Sequence, residues 1–278
     1  MYKGISFYFG YCIDPKKRAK MIKDAGYDCV ITNADPWFDS QNGKISKQIK
    51  RFKKNGIKLS SLHMRYLKSE LPYFFKKGKI GDKIERNLVK DVKLAAKYGF
   101  KCVVVHLGGE PNEVGFKRIE RVLKVCEKLN MPLAFENLKD DTAFHCVMKE
   151  FQHPLVKFCY DAGHNNAFHP EVDYLKLYGD RLICVHLHDN DGTCDAHGLN
   201  RFGTINWKSL AKKLAKTDLQ VLDYELMPRD DHGMSALETL SECFSQAVEL
   251  EKMIEKEKVL LNKKLRKKED DCEKTILD

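Results

Sequence analysis

No apolar run approaches the roughly 20 residues that a membrane-crossing helix needs, so a spanning helix is excluded. The opening ten residues are too short and too polar for a secretory signal peptide and read as a first strand. None of the ten cysteines stands in a C-x-x-C pair. Cys29, Cys102, Cys126, Cys159 and Cys184 sit inside apolar runs, as small buried hydrophobes do in a reducing cytoplasm, and a disulfide framework does not suit a chain this long. No G-x-G-x-x-G and no P-loop is present, which removes the usual phosphate-binding folds. No basic run interleaved with aromatics marks a groove for single-stranded nucleic acid, and no internal repeat is visible.

What is present is an ordinary globular composition, 43% apolar and 32% charged over 278 residues. That length suits one large domain or two small ones and supports a substantial core. The formal charge of +9 is spread widely. It reads as a lysine-rich solvated surface, with phosphorylated sugars or nucleic acid as the partners such a charge would attract. Residues 251–278 are rich in charge, with many lysines and almost as many acids. This tail is expected to extend the last helix and fray into disorder, apart from a main domain over 1–250.

Strand-like and helix-like segments alternate along that main domain. Strands are expected over 5–9, 28–32, 57–63, 101–107, 133–137, 156–161, 182–188 and 220–226. Helices are expected over 44–55, 82–98, 113–129, 142–151, 171–178 and 207–216, and from 235 onward. Another opens at Asp14-Pro15, an N-cap followed by a first-turn proline, and stops at Gly26. Eight β/α alternations at this length argue for a single (β/α)8 barrel over an open doubly wound sheet.

Four strands end in a metal-ligand side chain. The phrases are Pro132-Leu-Ala-Phe-Glu136-Asn137, Phe158-Cys-Tyr-Asp161-Ala-Gly-His164, Ile183-Cys-Val-His186-Leu-His188-Asp189 and Val221-Leu-Asp-Tyr-Glu225. A lone buried carboxylate is too costly to keep ionised unless it is paired or bound to a cation. Barrels of this class bind ligands at the carboxyl ends of their strands. Glu136, Asp161, His186 and Glu225 therefore form a candidate site for one divalent ion. Their oxygen-rich donor set suits Mn, Mg, Co or Zn without choosing among them. His63, His106, His164, His188, Asp195 and His197 lie at or just beyond strand ends and form a candidate outer shell or further ligands. His145, His153, His169 and His232 are given no role. Trp37 and Phe38, in the loop expected after the second strand, could cover an apolar edge of a ligand.

Phe135-Glu-Asn137, Asp161-Ala-Gly-His164, His186-Leu-His-Asp-Asn-Asp-Gly192, Asp195-Ala-His197 with Gly203-Thr-Ile-Asn-Trp207, and Tyr224-Glu225 together resemble the xylose isomerase-like barrels over residues 1–250. That superfamily includes sugar and sugar-phosphate isomerases and epimerases, and endonuclease IV-type apurinic-site nucleases. Under the epimerase pattern the resemblance implies Glu136, Asp161, His186 and Glu225 as ligands of one ion, with His164 on a substrate oxygen. Under the nuclease pattern it implies the same four, joined by His63, His106, His164, Asp195 and His197, around three zincs. His63-x-x-Tyr66-Leu67 resembles the nuclease loop that probes DNA. Three departures point away from the nucleases. Their Asp-Arg-His phrase reads Asp195-Ala-His197 here, the later motifs are more closely spaced, and the His-Leu-His-Asp-Asn-Asp-Gly phrase looks most like barrels assigned as sugar-phosphate isomerases or epimerases.

The expectation is a cytoplasmic, metal-dependent isomerase or epimerase of a ketose or ketose phosphate. It would act through an enediolate, with Glu136 and Glu225 as acid and base. The alternative is a zinc-cluster phosphodiesterase on abasic DNA, the only reading with a nucleic-acid partner. No membrane partner is expected, and the oligomeric state stays open, a homo-oligomer included.

Overall fold

The computed structural model describes residues 1–228 and 232–276. Its strands are β1 (Tyr2–Ser6), β2 (Cys29–Asn33), β3 (Lys58–His63), β4 (Cys102–Val105), β5 (Leu133–Glu136), β6 (Val156–Asp161), β7 (Leu182–His186) and β8 (Val221–Tyr224). They pair in parallel in the order β7-β6-β5-β4-β3-β2-β1-β8. The two ends then meet. Leu187 N–H donates to Asp223 O at 2.9 Å and Glu225 N–H donates to Leu187 O at 3.0 Å. With helix in every crossover, this is the (β/α)8 barrel that the alternation implied.

Parallel strands sandwiched on both faces read as continuous apolar runs. Val103, Val104 and Val105 are all buried, but against different partners. Phe135, Phe158 and Tyr224 belong to the large core between sheet and helices. Each fully buried phenylalanine there contributes about 1.5–3 kcal/mol. Cys102, Val104, Ala134, Cys159 and Cys184 form a separate cluster of small side chains in the barrel interior. The Cys102 and Cys184 sulfurs lie 3.6 Å apart as thiols. All five cysteines expected to be buried are buried or nearly so in the core.

The punctuation works as the sequence suggests. Asp14 accepts from the backbone N–H of Lys16 and Lys17 at the start of the helix Pro15–Asp24. Gly99 ends the helix Lys79–Tyr98 at φ 81°, a left-handed conformation that favours glycine.

Some boundaries differ from expectation. β1 lies three residues earlier because Tyr2 pairs with Val221 and Gly4 with Cys29, which leaves Phe7 and Phe9 to pack beyond the strand end. Trp37 and Phe38 are not in a loop. Asp35 accepts from Trp37 N–H, and Pro36 fits the first turn of a helix, Pro36–Asn42. A further helix, Ala162–Phe168, follows β6 directly.

The last helix runs from Ala236 to Ile276, so residue 250 falls inside it and the tail extends that helix. Leu240, Cys243, Ala247, Leu250 and Ile254 recur at helical spacing and are buried. Glu251 pairs with Lys3 Nζ at 2.5 Å. Full burial therefore reaches Ile254 and partial packing against the core reaches Leu261, while Val259 and Leu260 are exposed. Positions 277 and 278 of the tail lie outside the described residues. No helix among the described residues is long and apolar enough to cross a membrane.

Candidate functional site

Four strands deliver Glu136, Asp161, His186 and Glu225 to one point at the carboxyl end of the barrel, each with a ligand atom within 4.8 Å of the others. His186 supplies Nδ1, which lies 3.2 Å from Glu136 Oε1, 3.1 Å from Glu225 Oε2 and 4.0 Å from Asp161 Oδ2. Ligands held at roughly 2.0–2.2 Å from one ion stand about 3–4 Å from each other. The spacing and the donors fit a divalent cation.

The electrostatics are those of a concentrated negative centre. Burial pushes the Glu136 carboxyl up, but the His186 and His106 rings outweigh it and hold it well below the ordinary range. Glu225 is likewise held low by His186 against the cost of burial. The two glutamates in turn raise His186 well above the usual histidine value despite its complete burial. The ring proton thus occupies the place where a cation would be electrostatically equivalent.

Two further groups adjoin this one. His63 and His106 meet Glu136 on one side. Their Nε2 atoms lie 3.0 Å apart, and His106 Nε2 is 2.9 Å from Glu136 Oε2. Burial and the neighbouring His106 push His63 down to about 4. On the other side His188, Asp195 and His197 come together. His197 Nε2 is 3.1 Å and His164 Nε2 3.4 Å from Asp195 Oδ2, and His188 Nε2 is 3.1 Å from Asp161 Oδ2. Burial lowers both His164 and His197, but the acids around them win. Asp161 and Asp195 raise His164 to about 10, and Asp195 raises His197 to about 9.

Three of these rings are turned in the same way by the backbone. His63 Nδ1 faces Met64 O at 3.1 Å, His164 Nδ1 faces Asn137 O at 2.9 Å and His197 Nδ1 faces Glu225 O at 2.8 Å. Each Nδ1–H can donate to a carbonyl, which leaves Nε2 aimed at the carboxylates. All ten candidate residues read from the sequence are therefore brought into one continuous cluster. His145 and His169 instead pair with Asp141, and His153 with Glu127, away from it.

Several supporting residues escaped the sequence reading. Asn137 clamps Asp161, donating from Nδ2 to its carbonyl at 2.9 Å and accepting its N–H at 2.8 Å. Asp189 accepts from Thr204 N–H, Ile205 N–H and Trp207 Nε1 at 3.0, 3.1 and 2.7 Å, closing the loop that carries Asp195 and His197. Its placement in the His-Leu-His-Asp phrase was the available signal. Tyr66 lies over His106, with ring centres 4.6 Å apart. Trp37, 52% exposed, packs edge-on to Tyr8 at 5.6 Å, and Tyr8 follows β1 at the same end of the barrel. Burial pushes the Asp223 carboxyl, deeper in the barrel, up to about 6, while Ser60 and His186 pull it down.

Similarity to known proteins agrees with the barrel fold. Two relatives of uncharacterised function match part of the chain. Protein y4fM of Sinorhizobium fredii is 29% identical over 59% of this chain and 58% of its own length. Protein MJ1614 of Methanocaldococcus jannaschii is 26% identical over 54% of this chain and 64% of its own. The chain thus matches about three fifths of the length of these curated relatives. Among solved structures, a D-tagatose 3-epimerase-like protein superposes with a TM-score of 0.69 at 18% identity, covering 95% of this chain and 100% of that one. The D-psicose 3-epimerase of Clostridium cellulolyticum H10, solved with D-tagatose, gives 0.71 at 15% identity over 91% and 99%. These likenesses show the fold. The xylose isomerase-like TIM barrel profile matches residues 19–258, and the chain belongs to that family.

Proposed function

We propose that this chain is a metal-dependent isomerase or epimerase of a ketose or ketose phosphate. The observation that carries the reading is the convergence of His186 Nδ1 with three carboxylates from four strands. Glu136, Asp161, His186 and Glu225 would hold one divalent ion, with Mn, Mg, Co and Zn all compatible with the donors. When bound, that ion supplies Lewis-acid chemistry, acidifying a carbon-bound proton next to a chelated carbonyl.

The chain's own residues do the rest. Glu136 and Glu225 approach from β5 and from beyond β8, and the reading requires a substrate beside them to present opposite faces to the two carboxylates. One removes the proton and the other returns it, which epimerisation requires. His164, whose Nδ1 lies 3.4 Å from Glu136 Oε1 and whose Nε2 faces Asp195, would bind a substrate oxygen beside the ion. Tyr66, Tyr8 and Trp37 supply apolar surface at the barrel mouth that excludes water from the enediolate. The free thiols suit a cytoplasmic setting.

A specific observation favours a second reading. The His63–His106–Glu136 and His188–Asp195–His197 groups flank the central one, as a zinc cluster for cleaving abasic DNA requires. Leu67, beside Tyr66, is 55% exposed. Elemental analysis of the purified chain, paired with a screen of ketoses and ketose phosphates, separates the two. One ion per chain with turnover of a sugar supports the isomerase. Three zincs with cleavage of an abasic duplex overturns it in favour of the nuclease.

A further inference from the structure

Beneath the carboxylate cluster the barrel holds one more acid. Asp223 lies on β8 two residues before Glu225 and is fully buried. Its neighbours are arranged to admit it. Gly4 pairs with it across β1 and β8, and a Cβ on Gly4 would stand 1.8 Å from Asp223 Oδ1. Ser60, from β3 across the barrel, donates its hydroxyl to Asp223 Oδ2. The register shift between Val30 and Thr32 in the β2–β3 pairing occurs at the same stretch of β3. Cys29 Sγ, a weak donor, is 3.9 Å from Oδ1. One hydroxyl and one thiol do not satisfy a carboxylate with four lone-pair sites.

The adjacent strand carries the complementary deficiency. His186 turns Nδ1 to Glu136 and Glu225, but its Nε2 is buried and has no hydrogen-bond partner. Leu187 bridges Tyr224, and its N–H donates to Asp223 O, so His186 and Asp223 enter the barrel side by side at one level. Ser61 Oγ, next to Ser60, is also buried without a partner. Buried polar groups left unpaired by protein are the usual place for an ordered water.

We propose that Asp223 is the outer carboxylate of His186, accepting through one buried water the hydrogen bond that His186 Nε2–H donates. The link fixes the tautomer with the proton on Nε2, so Nδ1 offers its lone pair to the ion. Asp223 is a positioning residue. It acts through the ring and touches neither ion nor substrate. The inference rests on the metal reading above.

The test uses full-length zinc-loaded protein with ¹⁵N-labelled histidine. The His186 ring is expected to bear its proton on Nε2, far downfield and slow to exchange, with zinc on Nδ1. Asp223→Asn keeps the size but removes the charge, and is expected to weaken zinc binding about 10–100-fold and to speed exchange of that proton. Ser60→Ala, which leaves the carboxylate in place, is expected to change zinc affinity much less. A wild-type ring ligating through Nε2 overturns the inference without any variant, which covers the case of an Asp223→Asn chain that does not fold. A folded Asp223→Asn protein with unchanged zinc affinity and an unmoved ring proton also overturns it. Wild-type protein that takes up no divalent ion overturns the metal reading and this inference together, whereas zinc-binding wild type with an indifferent Asp223 overturns the inference alone.

Discussion

The Asp161 side chain accepts a hydrogen bond from the backbone N–H of His164 at 2.6 Å. One carboxylate is thus both a candidate metal ligand and the N-cap of the helix Ala162–Phe168. Helix capping and ion binding make different demands on it, so substitutions can separate them. Asp161→Asn keeps a good cap and removes the charge, and should lose the ion. Asp161→Ala should lose the ion and also destabilise the metal-free protein by about 1 kcal/mol through the missing cap. Bound-metal content and denaturation in chelator, measured on both variants, check the two effects. Equal metal-free stabilities for Asn and Ala would remove the capping role, and retained metal in both would remove the ligand.

Gly163 makes a sharper local test. A Cβ there would stand 1.9 Å from His188 Cε1. Helix propensity alone would make Gly163→Ala stabilising by up to about 1 kcal/mol. The expected result is the opposite sign, because the new methyl must displace the fully buried His188. Chemical denaturation reads the sign directly.

The histidines set the pH response of the metal-free protein. His164 is raised to about 10 and His197 to about 9, above their unfolded values. Their stabilisation is complete below the unfolded histidine pKa and is lost as pH rises through about 9 to 10. Glu136 and Glu225 are depressed, so their contribution is present above the unfolded carboxylate pKa and is lost on acidification. His63, lowered to about 4, adds to the acid loss because the unfolded chain protonates first. Thermal midpoints in chelator should therefore fall on both sides of neutrality. Midpoints that keep rising above pH 10 would contradict the histidine–carboxylate pairing.

The tail divides at Ile254. Ending the chain after residue 255 keeps buried Ile254 and the Glu251–Lys3 pair but gives up the partial packing of Leu261, and should leave turnover nearly intact at a small cost in stability. Ending it after residue 250 removes both, and should cost about 1.5–3 kcal/mol from the isoleucine. Urea denaturation of the two truncated chains is the check, with equal stabilities as the contrary result.

The barrel was legible in the sequence because buried parallel strands appear as apolar runs and caps such as Asp14 and Gly99 mark the helix ends locally. The candidate ligands were legible because an acid or imidazole closing an apolar run is costly without a partner. Asp161 hid the helix that follows it, since a strand-end ligand and an N-cap look alike in sequence. The ring orientations were not legible. They depend on carbonyls of Met64, Asn137 and Glu225, and two of these reach their histidine only across the fold. Asp189 and Asp223 were missed for the same reason, because their partners at Thr204, Trp207, Gly4 and Ser60 are set by register and loop closure.

Solvent exchange tests the central claim most directly. Metal-loaded chain in heavy water, offered ketoses and ketose phosphates, should place deuterium at the isomerised or epimerised carbon. Loaded Glu136→Gln and Glu225→Gln proteins should lose exchange along with turnover, because each variant lacks one of the two carboxylates that move the proton. Absence of exchange with every sugar and sugar phosphate, from a wild-type protein that cuts abasic DNA with zinc bound, would contradict the account.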